Sequence, residues 1–165
     1  MTIMNDLKFD RTVSAAFTGH RFYDFSQKEF IQERLTSAIS EAYGHGIRNF
    51  ISGFALGIDL MAAQLVQSLK CDLPGISLTA AIPFEGQAER YNIYDKRVYR
   101  RLLELADKVI VLSDYYYPRC FLDRDKFMVE NASYLIAYYD GREKGGTYYT
   151  VKKARARGIP IINVY

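Results

Sequence analysis

Ile51-Ser52-Gly53-Phe54-Ala55-Leu56-Gly57-Ile58-Asp59 decides how this chain is read. An apolar run ends in a turn of small residues, and a helical pattern begins directly after it. Strand, glycine turn, helix is an arrangement that aims backbone N–H groups and a helix N-terminus at an anion, usually a phosphate. The turn lacks the Gly-Lys-Ser/Thr of a Walker A loop and the G-x-G-x-x-G spacing of a dinucleotide fingerprint. It points to a nucleotide-type ligand without saying which one.

The same alternation continues on either side. Short apolar runs recur at residues 12–17, 50–52, 76–82, 108–112, 134–139 and 159–164. Most are solidly apolar rather than alternating, as strands covered on both faces are. Between them lie helical stripes: Ile31, Leu35, Ala38, Ile39 and Ala42; Ile58, Met61, Ala62, Leu65 and Leu69; Tyr94, Val98, Leu102 and Leu105; and a short one at Val151 and Ala154. Ser26 is placed to cap the first helix, and Gly44 and Gly46 to end it. Gly145-Gly146-Thr147 opens the last. Strands alternating with helices predict βαβ units with right-handed crossovers. The expected fold is therefore α/β, a Rossmann-like three-layer sandwich on a mainly parallel sheet of about six strands. One domain over residues 1–165 accounts for the whole chain, and residues 113–125 form its one long irregular connection.

Half of the 165 residues are apolar (49%) and a quarter charged (25%), ordinary for a globular domain, and the formal charge of +3 is mild. It permits a basic patch without requiring nucleic acid. Residues 1–11 have no apolar core of a secretory signal, and no uninterrupted apolar run reaches the ~18 residues of a membrane span. Cys71 and Cys120 lack C-x-x-C spacing and read as reduced thiols, so a cytoplasmic location is expected. No metal site and no cofactor are indicated by the spacing of His, Cys, Asp and Glu.

In an open parallel sheet ligands bind beyond the carboxyl ends of the strands. Thr18-Gly19-His20-Arg21 follows the first strand, and Ser52, Gly53, Gly57 and Asp59 follow the second. Pro83 and Glu85 follow the third, and Gly145-Gly146-Thr147 comes after the fifth. These are the candidate ligand-binding residues. The guanidinium fork of Arg21 suits a phosphate, although a solvated arginine is the plainer alternative. His20 is either an acid–base group or a hydrogen-bonded structural histidine. Asp59 in the first turn of its helix is favoured by the dipole whatever its role. The tyrosines at 115–117, 138–139 and 148–149 either stack on bases or pack in the core and rim. The segment Tyr115–Arg119 reads as part of a lid or as a subunit contact.

Phe17-Thr18-Gly19-His20-Arg21, then Ile51-Ser52-Gly53 with Leu56 to Ala63, resembles the YpsA-like branch of the SLOG superfamily. Later blocks extend the likeness: Ile82-Pro83-Phe84, residues 126–133, and Tyr139-Asp140 leading to residues 145–150. The resemblance implies a Rossmann-like domain holding a nucleotide or nucleotide-derived small molecule. It also implies two alternatives. One is a hydrolase of N-glycosidic or phosphoester bonds, like the phosphoribohydrolases of the superfamily. The other is single-stranded nucleic-acid binding resembling DprA, which suits the basic run at residues 142–157. Thr150 stands where the phosphoribohydrolase motif has its glutamate, and a hydroxyl cannot do the work of that carboxylate. Glu85 and Glu130 are the candidates to replace it. The catalytic residues, if there is a reaction, stay unassigned at this level, and a homo-oligomer remains open.

Overall fold

The computed structural model describes residues 9–165; the reading of residues 1–8 as lacking a signal segment lies outside them. Among the described residues six strands and five α-helices follow in strict alternation: β1 (Ser14–Gly19), α1 (Lys28–Gly44), β2 (Asn49–Ser52), α2 (Ile58–Ser68), β3 (Ser77–Ile82), α3 (Ile93–Leu105), β4 (Lys108–Val111), α4 (Cys120–Glu130), β5 (Tyr134–Tyr138), α5 (Gly145–Ala156) and β6 (Ile161–Asn163). The sheet runs β4-β3-β2-β1-β5-β6, and every neighbouring pair is parallel. From β1 the chain winds outward through β2 and β3 to β4, then returns to lay β5 on the other side of β1. The strand order therefore reverses between β1 and β5. Their carboxyl ends leave the crevice in which a doubly wound sheet receives its ligand.

Successive strand residues enter two different cores, which is why the strands read as unbroken apolar runs. Ala15 and Phe17, Phe50, Leu78 and Ala80, and Ile136 pack with α1, α2 and α3. Ala16, Ile51, Ala81, Leu135 and Ala137 face α4 and α5. A strand so placed has no face left for water, and apolar side chains are favoured at every position.

Two local expectations are corrected. Ser26 does not cap α1. It sits in a single 3₁₀ turn, Phe25–Gln27, whose cap is Asp24, and α1 starts after that turn at Lys28. Residues 113–125 are not irregular throughout, because Cys120 begins α4. The buried stripe of that helix is Cys120, Arg124, Met128 and Val129. Its i, i+4, i+8 spacing is helical, but an arginine in the middle hides the periodicity from any reading that looks for apolar residues.

Gly57 holds the turn between β2 and α2. Its φ is +85°, and a Cβ there would run into the backbone carbonyls of Arg21 and His20. Gly57→Ala is expected to destabilise the protein by about 3 kcal/mol or more, combining left-handed strain with a clash against backbone that cannot step aside. Gly44, the last residue of α1, has open space around its Cα. Gly44→Ala should be neutral or stabilise by about 0.5 kcal/mol. Urea denaturation of both variants checks the pair, and equal midpoints would contradict the assigned role of Gly57.

Candidate ligand-binding site

Beyond the carboxyl ends of β1 and β5 lies a cavity of about 440 Å³. Thr18, Gly19, His20 and Arg21 enter it from the end of β1, Ala55 and Asp59 from the β2–α2 connection, Phe121, Arg124 and Asp125 from α4, and Lys144 to Thr147 from the start of α5. Ala55 and Asp59 of the glycine turn after β2 thus share one hollow with residues 145–147.

The first turn of α5 opens onto this hollow, beside that of α4, from which Phe121 and Leu122 line it. Lys144 precedes α5 in an extended conformation and supplies no side-chain cap, so the first-turn N–H groups of Gly145, Gly146 and Thr147 are not covered by a capping side chain. At α2 the position is reversed. The Ile58 N–H donates to the His20 carbonyl at 3.4 Å, and Gly57 lies against the backbone of His20 and Arg21. The turn expected to cradle an anion is packed against the β1 loop instead. Gly19 serves the same closure, since a Cβ on it would meet the Ile58 side chain at 2.5 Å. His20 finds a partner that sequence could not show. Its Nε2 lies 3.2 Å from Asp140 Oδ1 and 3.3 Å from the Asp140 N–H nitrogen. One tautomer donates to the carboxylate and the other accepts from the amide, so either way the imidazole ties the end of β1 to the end of β5. The Asp140 carboxyl is held below its usual range, chiefly by the Arg142 N–H, with the charges of His20 and Arg142 adding to the effect.

The floor is a buried ionic cluster. Arg124 is 4% exposed. Its Nε donates to Asp125 Oδ1 at 2.8 Å, and its Nη1 donates to the carbonyls of Gly53 at 2.6 Å and Ala81 at 3.3 Å. A Cβ on Gly53 would collide with this guanidinium and with Asp59 Oδ2, so glycine is required there by contact rather than by φ. Burial pushes the Asp59 carboxyl up to about 7, against the pull of Arg124 and with Asp125 adding to the rise. Burial raises Asp125 as well, opposed by Arg124 and by the neighbouring Thr150 hydroxyl. Burial disfavours the charge of Arg124, but the two carboxylates more than offset it. Burial thus outweighs one guanidinium shared by two acids, and the cluster holds a proton to higher pH than two ordinary carboxylates would.

Of the residues singled out from sequence, Thr18, Gly19, His20, Arg21, Asp59, Gly145, Gly146 and Thr147 line the cavity, whereas Ser52, Gly53 and Gly57 lie behind it. The fully buried Ser52 hydroxyl donates to the Asp59 carbonyl and accepts from the Phe54 N–H, fixing the turn. Pro83 is buried outside the cavity wall, and Glu85 is exposed away from it. Glu130 pairs with Lys126 on the surface of α4. Neither glutamate therefore replaces the carboxylate missing at Thr150, which is itself buried and donates to the Gly146 carbonyl. The carboxylates that face the cavity are Asp59 and Asp125. Arg124, Asp125 and Phe121 escaped the sequence reading, which placed Lys144 only in the basic run at residues 142–157. Asp123-Arg124-Asp125-Lys126 looks like a solvated charge run, and only the helical offset from Cys120 to Met128 marks Arg124 as inward-facing.

A family model described as the YspA SLOG family matches residues 15–158. A UPF0398 protein of Bacillus pumilus (strain SAFR-032) is 30% identical over 129 residues, which cover 77% of this chain and 67% of that protein. Another, from Bacillus cereus (strain G9842), is 28% identical over 133 residues, covering 79% and 70% respectively. Among solved structures, DNA processing protein A (DprA) of Streptococcus pneumoniae matches with a TM-score of 0.62 and 18% identity over 90% of this chain and 48% of its own. The chain therefore spans about half the length of that protein. DNA processing protein A of Helicobacter pylori, whose structure concerns its single-stranded DNA binding mode, matches with a TM-score of 0.63 and 18% identity over 92% and 65%. At such identities the likeness is one of fold.

The cluster has two measurable consequences. From about pH 4 to pH 7 the folded chain keeps a proton on Asp59 that the unfolded chain has released, so stability falls as pH rises through this window. The slope is at most about 1.4 kcal/mol per pH unit. Asp59→Asn removes that contribution, and denaturation midpoints at pH 5 and pH 8 should lie closer together than in the wild type. Arg124→Met strands Asp125 and two carbonyls, and is expected to cost about 3–5 kcal/mol. A stability loss below about 1 kcal/mol would show that the buried ion pair does not organise the floor.

Proposed function

The chain belongs to the YspA SLOG family, and on that premise we propose that it binds a phosphorylated nucleoside or similar nucleotide-derived small molecule in the cavity between the ends of β1 and β5. The observation that carries this reading is the meeting, in one hollow, of the uncapped first turn of α5 with the side chains of Arg21 and Lys144. N–H donors at the positive end of a helix dipole, flanked by two cations, suit a phosphate group. Asp125, whose carboxylate lies beside Gly146, and Asp59 supply acceptors for sugar hydroxyls. Its position at the strand-order reversal is where such folds receive ligands.

Calorimetry with nucleoside monophosphates, ribose 5-phosphate and ADP-ribose tests the reading. Saturable binding of at least one is expected, with Arg21→Ala weakening it about tenfold (about 1.4 kcal/mol) and Glu85→Gln leaving it unchanged. Folded protein that binds none of them would overturn it.

A second reading, single-stranded nucleic acid lying along α5, is favoured by a separate observation. Lys152, Lys153, Arg155 and Arg157 are all exposed on that helix and its C-terminal cap. Lys152 lies over the ring of Tyr148 at 5.9 Å and Lys153 over Tyr149 at 5.4 Å, so the ring faces are already engaged and the surface would act through charge. Oligonucleotide binding there should weaken steeply with salt and follow Lys152→Ala and Arg155→Ala.

A further inference from the structure

A second cavity, of about 530 Å³, adjoins the first. The two share Arg21 and Phe121 as a common wall. Their chemistry differs sharply. The first is walled by backbone N–H groups, cations and carboxylates. The second carries four rings, Phe84, Tyr91, Tyr116 and Phe121, with the charged Glu89 and Arg90 beside them. Phe84 meets Tyr116 edge to face at 5.6 Å and Phe121 at 6.0 Å, which fixes three rings around one opening. Tyr116 is 60% exposed, so this ring is supported on Phe84 yet leaves area free.

The polar groups deeper in this cavity are already committed. The Gln87 amide donates to the Gly53 carbonyl and accepts from the Tyr99 hydroxyl, and the Tyr91 hydroxyl donates to the Phe54 carbonyl. The deeper part thus offers ring faces and edges, and the charged Glu89 and Arg90 of the lining are exposed. Such a surface takes a planar aromatic moiety and discriminates little among bases. At the boundary, the Arg21 guanidinium lies 5.1 Å from the centroid of the Phe121 ring. A cation held over an aromatic ring, facing both hollows, is placed for the anionic link of a ligand that occupies both.

We propose that the two cavities form one bipartite site for a nucleoside diphosphate joined to a second sugar, with the base among Phe84, Tyr116 and Phe121, the diphosphate between Arg21 and the first turn of α5, and the distal sugar beside Asp59 and Asp125. This rests on the phosphate-binding reading of the first cavity. Together the two hollows approach the upper end of the range of about 300–1,000 Å³ over which small-molecule sites extend. A mononucleotide would leave one of them to water.

The test compares ADP-ribose, AMP and ribose 5-phosphate by calorimetry on the full chain and on Tyr116→Ala and Phe84→Leu. ADP-ribose should bind at least tenfold more tightly than ribose 5-phosphate. Tyr116→Ala, a change at an exposed ring that leaves the core intact, should weaken ADP-ribose about tenfold and ribose 5-phosphate not at all. Phe84→Leu should act in the same direction. If ribose 5-phosphate binds but ADP-ribose gains nothing over it, or if Tyr116→Ala and Phe84→Leu leave ADP-ribose unaffected, the bipartite site is wrong while the first cavity stands. If none of the three ligands binds the folded wild type, both readings fail.

Discussion

A single buried guanidinium joins what the sheet separates. Arg124 rises from α4 on one face and caps the carbonyls of Gly53 and Ala81 at the ends of β2 and β3. It also neutralises Asp125 from its own helix and pulls on Asp59 from α2 on the opposite face. Two helical layers on opposite faces of the sheet are thereby coupled at its carboxyl edge. A buried charge of this kind is costly unless its geometry is well satisfied, and its hydrogen bonds here leave little freedom. The glycine at position 53 follows from it, since any side chain would occupy the space of the guanidinium. The raised titration of Asp59 belongs to the same cluster, because its burial outweighs the pull of a cation shared with Asp125.

The same edge shows how a topology built from local rules creates an asymmetric site. Right-handed crossovers send α1, α2 and α3 to one face and α4 and α5 to the other, and the reversal between β1 and β5 leaves their ends uncovered. Of the helix N-termini that reach that region, two carry glycine turns. One, at α2, is closed by the loop that leaves β1, with Ile58 bonded to His20 and Gly57 pressed on the chain at Arg21. The other, at α5, faces the hollow without a cap. The glycine-rich turn after β2 therefore contributes a scaffold and one acid, and the anion-receptive backbone comes from the last helix.

Much of this is legible in the sequence. The alternation of strands and helices, the parallel sheet and the edge at which glycines and hydroxyls collect all follow from local pattern. Thr18 to Arg21 and Gly145 to Thr147 stand out because each segment lies beyond the carboxyl end of a strand, and the two do share a cavity. The residues that sequence misplaces have a common cause. Glu85 lies just past β3 and reads as a candidate, but its side chain turns to solvent while Gln87, two residues on, turns inward to Gly53. Arg124 and Asp125 stand in a run of alternating charges that reads as a wet helix face. Their burial depends on two carbonyls contributed from 71 and 43 residues away.

Periodicity and turn chemistry alone determined that this chain is a doubly wound α/β domain with its polar loops on one edge, because strand and helix preferences, core-facing stripes and glycine turns are properties of neighbouring residues. Which helix end stays open, which carboxylates face the hollow, and that a ring-lined cavity adjoins a polar one across Arg21 were decided only in three dimensions. Desolvation, charge pairing and ring packing act between residues that the fold alone makes neighbours.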